Sequence, residues 1–276
     1  MDKFTRNFSI VILTILGICI AVSTIIHHLF PWIFQVPAVN PAYLSTSPTI
    51  ELIVMDIGSV IVALIVFNHS YHKYGLWRSL LFFSGSFIFT GLEEAMWILS
   101  GRFGLVFPSY FFTRGGLWFF EVPFYTCIGW FVVAYSCVFL AEKILPNRSI
   151  WLHAALGAFL AMDLDLWTDP VMVNLNLASA IPADSGMWVW SMTNTLTIFG
   201  IPLMNFLGWF LVIFLFAILW KIVPKQQERW GYRKTTLVFY GCVPILLAIC
   251  LVVLSGIEIL LVRNFFPNVE ILPIIT

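Results

Sequence analysis

Three carboxylates fall within seven residues of the otherwise apolar stretch from Gly157 to Pro170, and they are the side chains best placed to do chemistry. They are Asp163, Asp165 and Asp169. A charge at the centre of a bilayer costs about 2.5 to 3.5 kcal/mol on insertion scales, so acids in such a stretch need a compensating role. If the stretch is helical, Asp165 and Asp169 stand at positions i and i+4 and can meet on one face.

A second acidic pair, Glu93 and Glu94, lies in another apolar run. The only cations expected within or near the membrane that could neutralise these clusters are Arg102 and Arg114, which are too few for all of the acids. We therefore expect some of the carboxyl groups to be protonated. A neutral carboxylic acid beside a carboxylate can act as an acid/base pair.

The composition indicates that membrane helices position these acids. The 276 residues are 61% hydrophobic and 10% charged, with a mean hydropathy of +0.96. This length allows about seven helices of roughly 20 apolar residues and leaves no room for a separate soluble domain. We predict an all-α, polytopic membrane helix bundle that forms a single domain over residues 1–276. A net charge of zero gives no sign of a nucleic-acid partner.

Hydropathy and turn residues give approximate bounds for the seven helices, with a proline-rich connection over residues 31–48. The predicted helices are Phe8–Phe30, Thr49–Asn68, Arg78–Ser100, Leu117–Lys143, Ile150–Trp167, Leu196–Lys221 and Thr236–Val262. Asp169 precedes Pro170, which disfavours helical conformation at Asp169. The fifth helix is therefore predicted to end there, with Asp169 at a water-accessible mouth and Asp165 as the drier proton donor.

The distribution of positive charge predicts the orientation. Eleven of the fourteen lysines and arginines fall in the connections of one side, which the positive-inside rule assigns to the cytoplasm together with the N-terminus. Glu93, Glu94 and Asp165 then lie roughly 20 to 25 Å from the cytoplasmic ends of their helices, in a core about 30 Å thick. We expect a polar pocket toward the outer side of the cell membrane, built from several helices.

Aromatic residues flank the predicted pocket and could stabilise a cation through their ring faces. The candidates to bind substrate are Asn205, Tyr110, Trp118, Glu121, Trp190 and Trp209. The five cysteines lack any C-x-x-C spacing, and the pair His69 and His72 falls at a helix end. The sequence therefore predicts no metal and no cofactor.

Five segments carry a resemblance to a known family over roughly residues 85–215. They are GLEEAMWILSGRFG, EVPFYTCIGWFVVAY, DLWTDPVMV, MWVW and FGIPLMNFLGWF. In these segments the sequence resembles the membrane carotenoid-biosynthesis hydratases, which include the archaeal bisanhydrobacterioruberin hydratases and the bacterial carotenoid 1,2-hydratases.

The resemblance implies an enzyme that adds water across a terminal isoprenoid C=C of an acyclic C40 or C50 carotenoid, without redox chemistry or metal. The family's site residues match Glu94, Asp165, Asp169 and Asn205. On this basis an acid from the aspartate pair protonates the alkene, Glu94 orients the water as a base, and Asn205 holds the water or a carboxylate. Glu93 is a further catalytic candidate. A hydrophobic carotenoid, the lipid bilayer and other membrane enzymes of the same pathway are the expected partners.

Other classes remain open. A membrane prenyltransferase also uses two acidic motifs, although it needs Mg²⁺ and nearby cations. A carotenoid cyclase would share the protonation chemistry. A proton-coupled transporter is compatible with membrane carboxylates, but no internal repeat is visible in the sequence. A retinal-binding photoreceptor needs a lysine in the seventh helix, and the last lysine, Lys234, precedes it.

Overall fold

The computed structural model describes residues 1–30, 33, 50–105, 108–112, 115–174, 187–191, 195–266 and 269–270. The predicted connection over residues 31–48 lies outside them, apart from residue 33, and so does residue 114. The described chain is an all-α bundle with three short two-stranded ladders. Its helices are α1 Lys3–Leu29, α2 Ile50–Tyr74, α3 Leu76–Arg102, α4 Phe124–Ile144, α5 Ile150–Asn174, α6 Leu203–Ile222, α7 Gln227–Ile257 and α8 Arg263–Phe265.

Five of the described segments are long and apolar enough to cross a membrane. They are Lys3–Leu29, Leu52–Tyr74, Phe124–Ile144, Ile150–Val173 and Leu203–Val262, the last of which contains both α6 and α7. This pattern supports a multi-pass membrane protein. The count of seven crossings and the orientation stay predictions.

Short strands precede two of the helices. The strands are β1 Ser109–Phe112, β2 Trp118–Phe119, β3 Val122–Pro123, β4 Trp188–Ser191, β5 Thr197–Ile198 and β6 Ile201–Pro202. The predicted starts of α4 at Leu117 and of α6 at Leu196 were therefore several residues early. In each case a tight hairpin ends in a proline that caps the helix, and proline suits this position because it has no N–H to leave unpaired.

The end of α5 also differs from the prediction. The helix continues through Pro170 to Asn174. Proline removes one helical hydrogen bond, but packing keeps the following turn helical. Asp169 consequently lies inside a helix and is only 1% exposed, so it does not stand at a water-accessible mouth.

The fold contains an internal repeat, contrary to the sequence analysis. One unit runs α3, β1, hairpin, α4, and the next runs α5, β4, hairpin, α6, with equivalent residues from β1 onward 79 positions apart, as in Ser109 and Trp188 or Phe124 and Leu203. Strands β1 and β4 pair antiparallel, with Ser109 opposite Ser191 and Phe112 opposite Trp188, as an approximate two-fold axis between the units requires. The sequence retains the repeat only in FEVPFYTCIGWF and FGIPLMNFLGWF.

The hydrophobic core extends from the β2–β3 hairpin to the far end of the bundle, and its largest part lies between α3, α4, α6 and α7. Phe82, Phe131, Phe216 and Phe239 are almost fully buried there, and each contributes about 1.5 to 3 kcal/mol on burial. At the far end, the Glu142 carboxylate of α4 pairs with lysines of α2 and α6. This packed end leaves the opposite end of the bundle free to hold a cavity.

Candidate active site

A cavity of about 210 Å³ lies at the hairpin end of the bundle, where the two repeat units meet. Helices α2, α4, α5 and α6, strands β1 and β4 and the Glu94 side chain of α3 form its walls. Its described lining comprises Met55, Glu94, Tyr110, Phe112, Tyr125, Thr126, Gly129, Trp130, Val133, Leu164, Asp165, Thr168, Asp169, Met172, Trp188, Trp190, Asn205 and Trp209. The lining is apolar and aromatic, with its acids on two sides.

Asp165 and Asp169 form one side of the cavity and share a single amide group. The Nδ2 atom of Asn205 donates to Oδ2 of Asp165 at 2.6 Å and to Oδ2 of Asp169 at 2.7 Å. The spacing of the two aspartates along α5 brings both to one face, as the sequence predicted, and Asn205 reaches them from the first turns of α6. Both carboxyl groups are at most 2% exposed, so neither has much contact with water.

The two aspartates differ in their donors. Asp169 also accepts a hydrogen bond from the indole Nε1 of Trp188, while Asn205 is the only described side chain that donates to Asp165. No ion pair joins either aspartate to a lysine or arginine within the described ranges. Since hydrogen-bond donors favour the ionised form of a carboxyl group, Asp169 is the better carboxylate and Asp165 the better proton carrier.

Glu94 stands on the other side of the cavity with two donors of its own. The Tyr110 hydroxyl donates to Oε2, and the indole Nε1 of Trp130 donates to Oε1 at 2.8 Å. Strand β1 brings Tyr110 to this position because it packs tightly on the end of α3. A Cβ atom on Gly101 would lie only 1.9 Å from Oγ of Ser109, so the glycine is required for this close approach.

A small recess adjoins the cavity beyond Glu94. Its volume of about 30 Å³ is enough for one or two water molecules. Glu93 and Glu94 both line the recess, whereas only Glu94 also lines the main cavity. The Glu94 carboxylate therefore lies between a water-sized space and an apolar space.

Aromatic rings cover the cavity between the two acidic sides. Trp130 and Trp209 occupy equivalent positions in the two repeat units, and their ring centroids are 4.1 Å apart. Tyr110 and Trp190, which face each other across the β1–β4 ladder, have centroids 4.6 Å apart. Such ring faces can stabilise a cation that forms between the carboxyl groups.

The structure brings together Asp165, Asp169, Glu94, Asn205, Tyr110, Trp190 and Trp209, all of which the sequence analysis singled out. Glu93 lies at the recess only. Asp163 is exposed on the opposite face of α5, as its spacing of two residues from Asp165 requires.

Trp118 and Glu121, which were also expected to bind substrate, do not line this cavity. Trp118 lies in the β2–β3 hairpin, where its ring stacks on His27 of α1 with centroids 3.8 Å apart. Glu121 forms an ion pair with Arg102 at the turn of the same hairpin. Burial raises the pKa of the Glu121 carboxyl above its usual range, and the Arg102 guanidinium opposes this only in part. The hairpin directs both side chains toward α1 or the end of α3.

One contributor was missed from the sequence and another was given no specific role. Trp130, which donates to Glu94, was not considered, and Trp188, which donates to Asp169, was counted only as one of the aromatic residues around the pocket. A signal for Trp130 was present, because the repeated Gly-Trp-Phe places it in the position equivalent to Trp209. Trp188 has no comparable signal, since its contact depends on how β4 pairs with β1.

These features define a class of protein: a membrane helix bundle with buried carboxyl groups around an aromatic cavity. The family can be stated as well. The chain belongs to the carotenoid biosynthesis protein family, whose model matches residues 52–269, and it accordingly has a role in carotenoid biosynthesis. Comparisons with curated proteins and with solved structures found no match.

Proposed function

We propose that the chain is a cofactor-independent carotenoid hydratase of the cell membrane, which adds water to a terminal isoprenoid C=C and forms a tertiary alcohol. The observation that carries the proposal is the position of the Asp165–Asn205–Asp169 group across an aromatic cavity from Glu94, which itself borders a water-sized recess. Family membership supports the carotenoid part of the proposal.

The chemistry requires a proton donor, a stabilised cation and a directed water. Transfer of the Asp165 proton to the CH carbon of the terminal alkene forms a C–H bond and leaves a tertiary carbocation on the dimethyl carbon. The Asp169 carboxylate and the faces of Trp130 and Trp209 stabilise that cation. Water from the recess forms the C–O bond and loses a proton to Glu94. Glu94 then releases this proton and Asp165 takes one up, so that both groups return to their starting states with no net change in protons.

The hydrogen bonds around the acids fit these roles. Asn205 holds Asp165 and Asp169 on one nitrogen, which fixes the separation between the proton donor and the cation-stabilising carboxylate. Tyr110 and Trp130 hold Glu94 in place on the opposite side of the same cavity. An acid and a base on opposite sides of one space suit an addition in which the proton and the water arrive separately.

A carotenoid cyclase is the nearest alternative, because it would begin with the same protonation. The recess of about 30 Å³ beside Glu93 and Glu94 favours the hydratase, since a cyclase must keep water away from the cation. The prenyltransferase alternative requires a metal bound to a diphosphate. The internal repeat removes one objection to a transporter, although the cavity offers an apolar lining and not a hydrated path.

The decisive experiment is expression of the chain in cells that accumulate lycopene, an acyclic C40 polyene with two unmodified ends. We expect pigments with the mass of one added water per modified end. Cyclised products of unchanged mass would support the cyclase, and unaltered pigment in cells that contain the folded protein would contradict the proposal.

A second experiment tests for a metal. Product formation in washed membranes should persist when a chelator is present, whereas loss of activity with the chelator and its recovery with Mg²⁺ would favour the prenyltransferase.

A further inference from the structure

The cavity is too small for a whole carotenoid. Sites for drug-sized ligands occupy about 300 to 1,000 Å³, whereas this cavity measures about 210 Å³. Only the reacting end of a C40 chain can therefore lie inside. The remaining polyene must leave through the wall of the cavity, and its apolar character requires an exit into the bilayer.

The helix pair α4 and α5 is closely packed at one end and separated at the other. A Cβ atom on Gly157 of α5 would lie 3.4 Å from the carbonyl oxygen of Cys137 on α4, so the two backbones are in van der Waals contact there. In the antiparallel register that this contact sets, Gly129 of α4 stands opposite Asp165 of α5. A Cβ atom on Gly129 would have no described neighbour within 4 Å, so the two helices diverge at the level of the cavity.

The separated region reaches the exposed outer surface of the bundle. Leu164 lines the cavity and is also 44% exposed, which places it at the boundary between the two spaces. Its neighbours on the outer face of α5, Trp167 and Val171, are 74% and 59% exposed. The Thr168 hydroxyl, one turn from Leu164 on α5, donates to the backbone carbonyl of Leu164. The rim therefore presents an apolar surface.

We propose that the polyene of the substrate passes into the bilayer through a lateral opening between α4 and α5, and that Gly129 keeps this opening clear. The inference rests on the proposed function in taking the end of a long isoprenoid as the ligand of the cavity. It identifies Gly129 and Leu164 as the residues that determine whether a long chain can be accommodated.

The test is to obstruct the opening from either helix. Gly129→Leu places a side chain into described open space, so the variant should fold, and Leu164→Trp enlarges a residue that is already exposed. The matched control is Gly241→Leu on α7, where a Cβ atom also has no neighbour within 4 Å but where the position is exposed and does not line the cavity. Two quantities are measured for each variant: the lycopene retained per amount of purified protein, and the hydrated pigment formed in cells that express it.

We expect Gly129→Leu and Leu164→Trp each to lose roughly tenfold or more in both quantities, and Gly129→Ala to lose less, because bulk added to an apolar site discriminates on this scale. Gly241→Leu should match the wild type. If both obstructed variants retained as much lycopene as the wild type, the proposal of a lateral opening between α4 and α5 would be wrong, even if the wild type proved to be a hydratase. If the wild type retained lycopene and Gly129→Leu did not, but neither formed hydrated pigment, the result would support the lateral opening and contradict the proposed reaction.

Discussion

At the scale of single residues, the two aspartates of α5 are chemically distinct although they share Asn205. Asp169 has the additional indole donor of Trp188, and Asp165 does not. The sequence predicted Asp165 as the proton donor for another reason, namely that Asp169 would face water beside Pro170. That reason was wrong because both side chains are buried. The assignment of Asp165 now depends on the difference in hydrogen bonding.

Replacement of Asp165 by asparagine is the first test of this assignment. Asparagine keeps the volume and still accepts from Asn205, but it has no transferable proton. We expect Asp165→Asn to accumulate normally and to lose roughly 10²- to 10⁴-fold in hydration rate, the usual contribution of general acid catalysis. The measurement is hydrated pigment per amount of folded protein.

Two further variants complete that test. Asp169→Asn should lose activity to a comparable degree, because a buried carboxylate that stabilises the cation is removed. Asp163→Asn makes the same change at an exposed position of the same helix and should hydrate at the wild-type rate. If Asp165→Asn hydrated the pigment at the wild-type rate, Asp165 would be excluded as the acid. If the variant protein were absent from membranes, Asp165 would have a structural role.

At the scale of elements, the sequence predicted the long helices well and the segments between them poorly. Apolar runs of more than 20 residues leave few alternatives to a membrane helix. Residues 118–123 continue the apolar run, and Pro123 is the main sequence signal that α4 begins only after them. The hairpin requires Phe120 and Phe199 at φ values of 52° and 54°, a conformation that phenylalanine rarely adopts and that no sequence rule would assign to it.

The residues of the candidate site were likewise predictable from the sequence only in part. The spacing of Asp165 and Asp169 was sufficient to predict that they meet, because it depends only on helical geometry. The donors to Glu94 and Asp169 come from other elements, and their arrival depends on the pairing of β1 with β4. Glu121 shows the opposite case: its position in an apolar run suggested the pocket, but the turn directs it to Arg102.

The contact between α3 and β1 supplies a prediction for an element. Gly101→Ala would place a methyl group within 2.1 Å of the Ser109 Cβ and so displace β1, which carries Tyr110 to Glu94. We expect a lower melting temperature and a loss of roughly tenfold in hydration rate, as small displacements of catalytic groups produce losses up to 10²-fold. Thermal unfolding and pigment analysis measure the two effects.

A second substitution makes this prediction specific. Ser109→Gly removes the atoms that the new methyl group would strike and leaves Ser109 Cα at 3.6 Å, an ordinary contact distance. The double variant Gly101→Ala/Ser109→Gly should therefore recover most of the activity, while Ser109→Gly alone should have a small effect. A double variant no better than Gly101→Ala would mean that the glycine matters for another reason.

At the scale of the whole molecule, the repeat explains why one cavity carries two unlike acidic sides. The two-fold relation places Trp130 against Trp209 at the centre, with α3 and α5 on opposite sides. The two units differ in the side chains at equivalent positions: Thr126 on α4 occupies the position of Asn205 on α6. The unit that contains Asn205 can hold two carboxyl groups together, and the other unit cannot do so in the same way.

The repeat also predicts the topology, independently of the distribution of charge. Two units related by an axis along the membrane normal must have the same orientation, so the segment after α4 and the segment after α6 lie on one side. The lysines and arginines of both segments assign that side to the cytoplasm. In a variant without the five native cysteines, single cysteines at Asn147 and Lys225 should be labelled by an impermeant reagent only when it reaches the cytoplasmic face. A cysteine at Leu117, which is 41% exposed beside the first hairpin, should be labelled only from outside. Labelling of Asn147 and Lys225 from opposite faces would contradict both the orientation of the repeat and the outward position of the cavity.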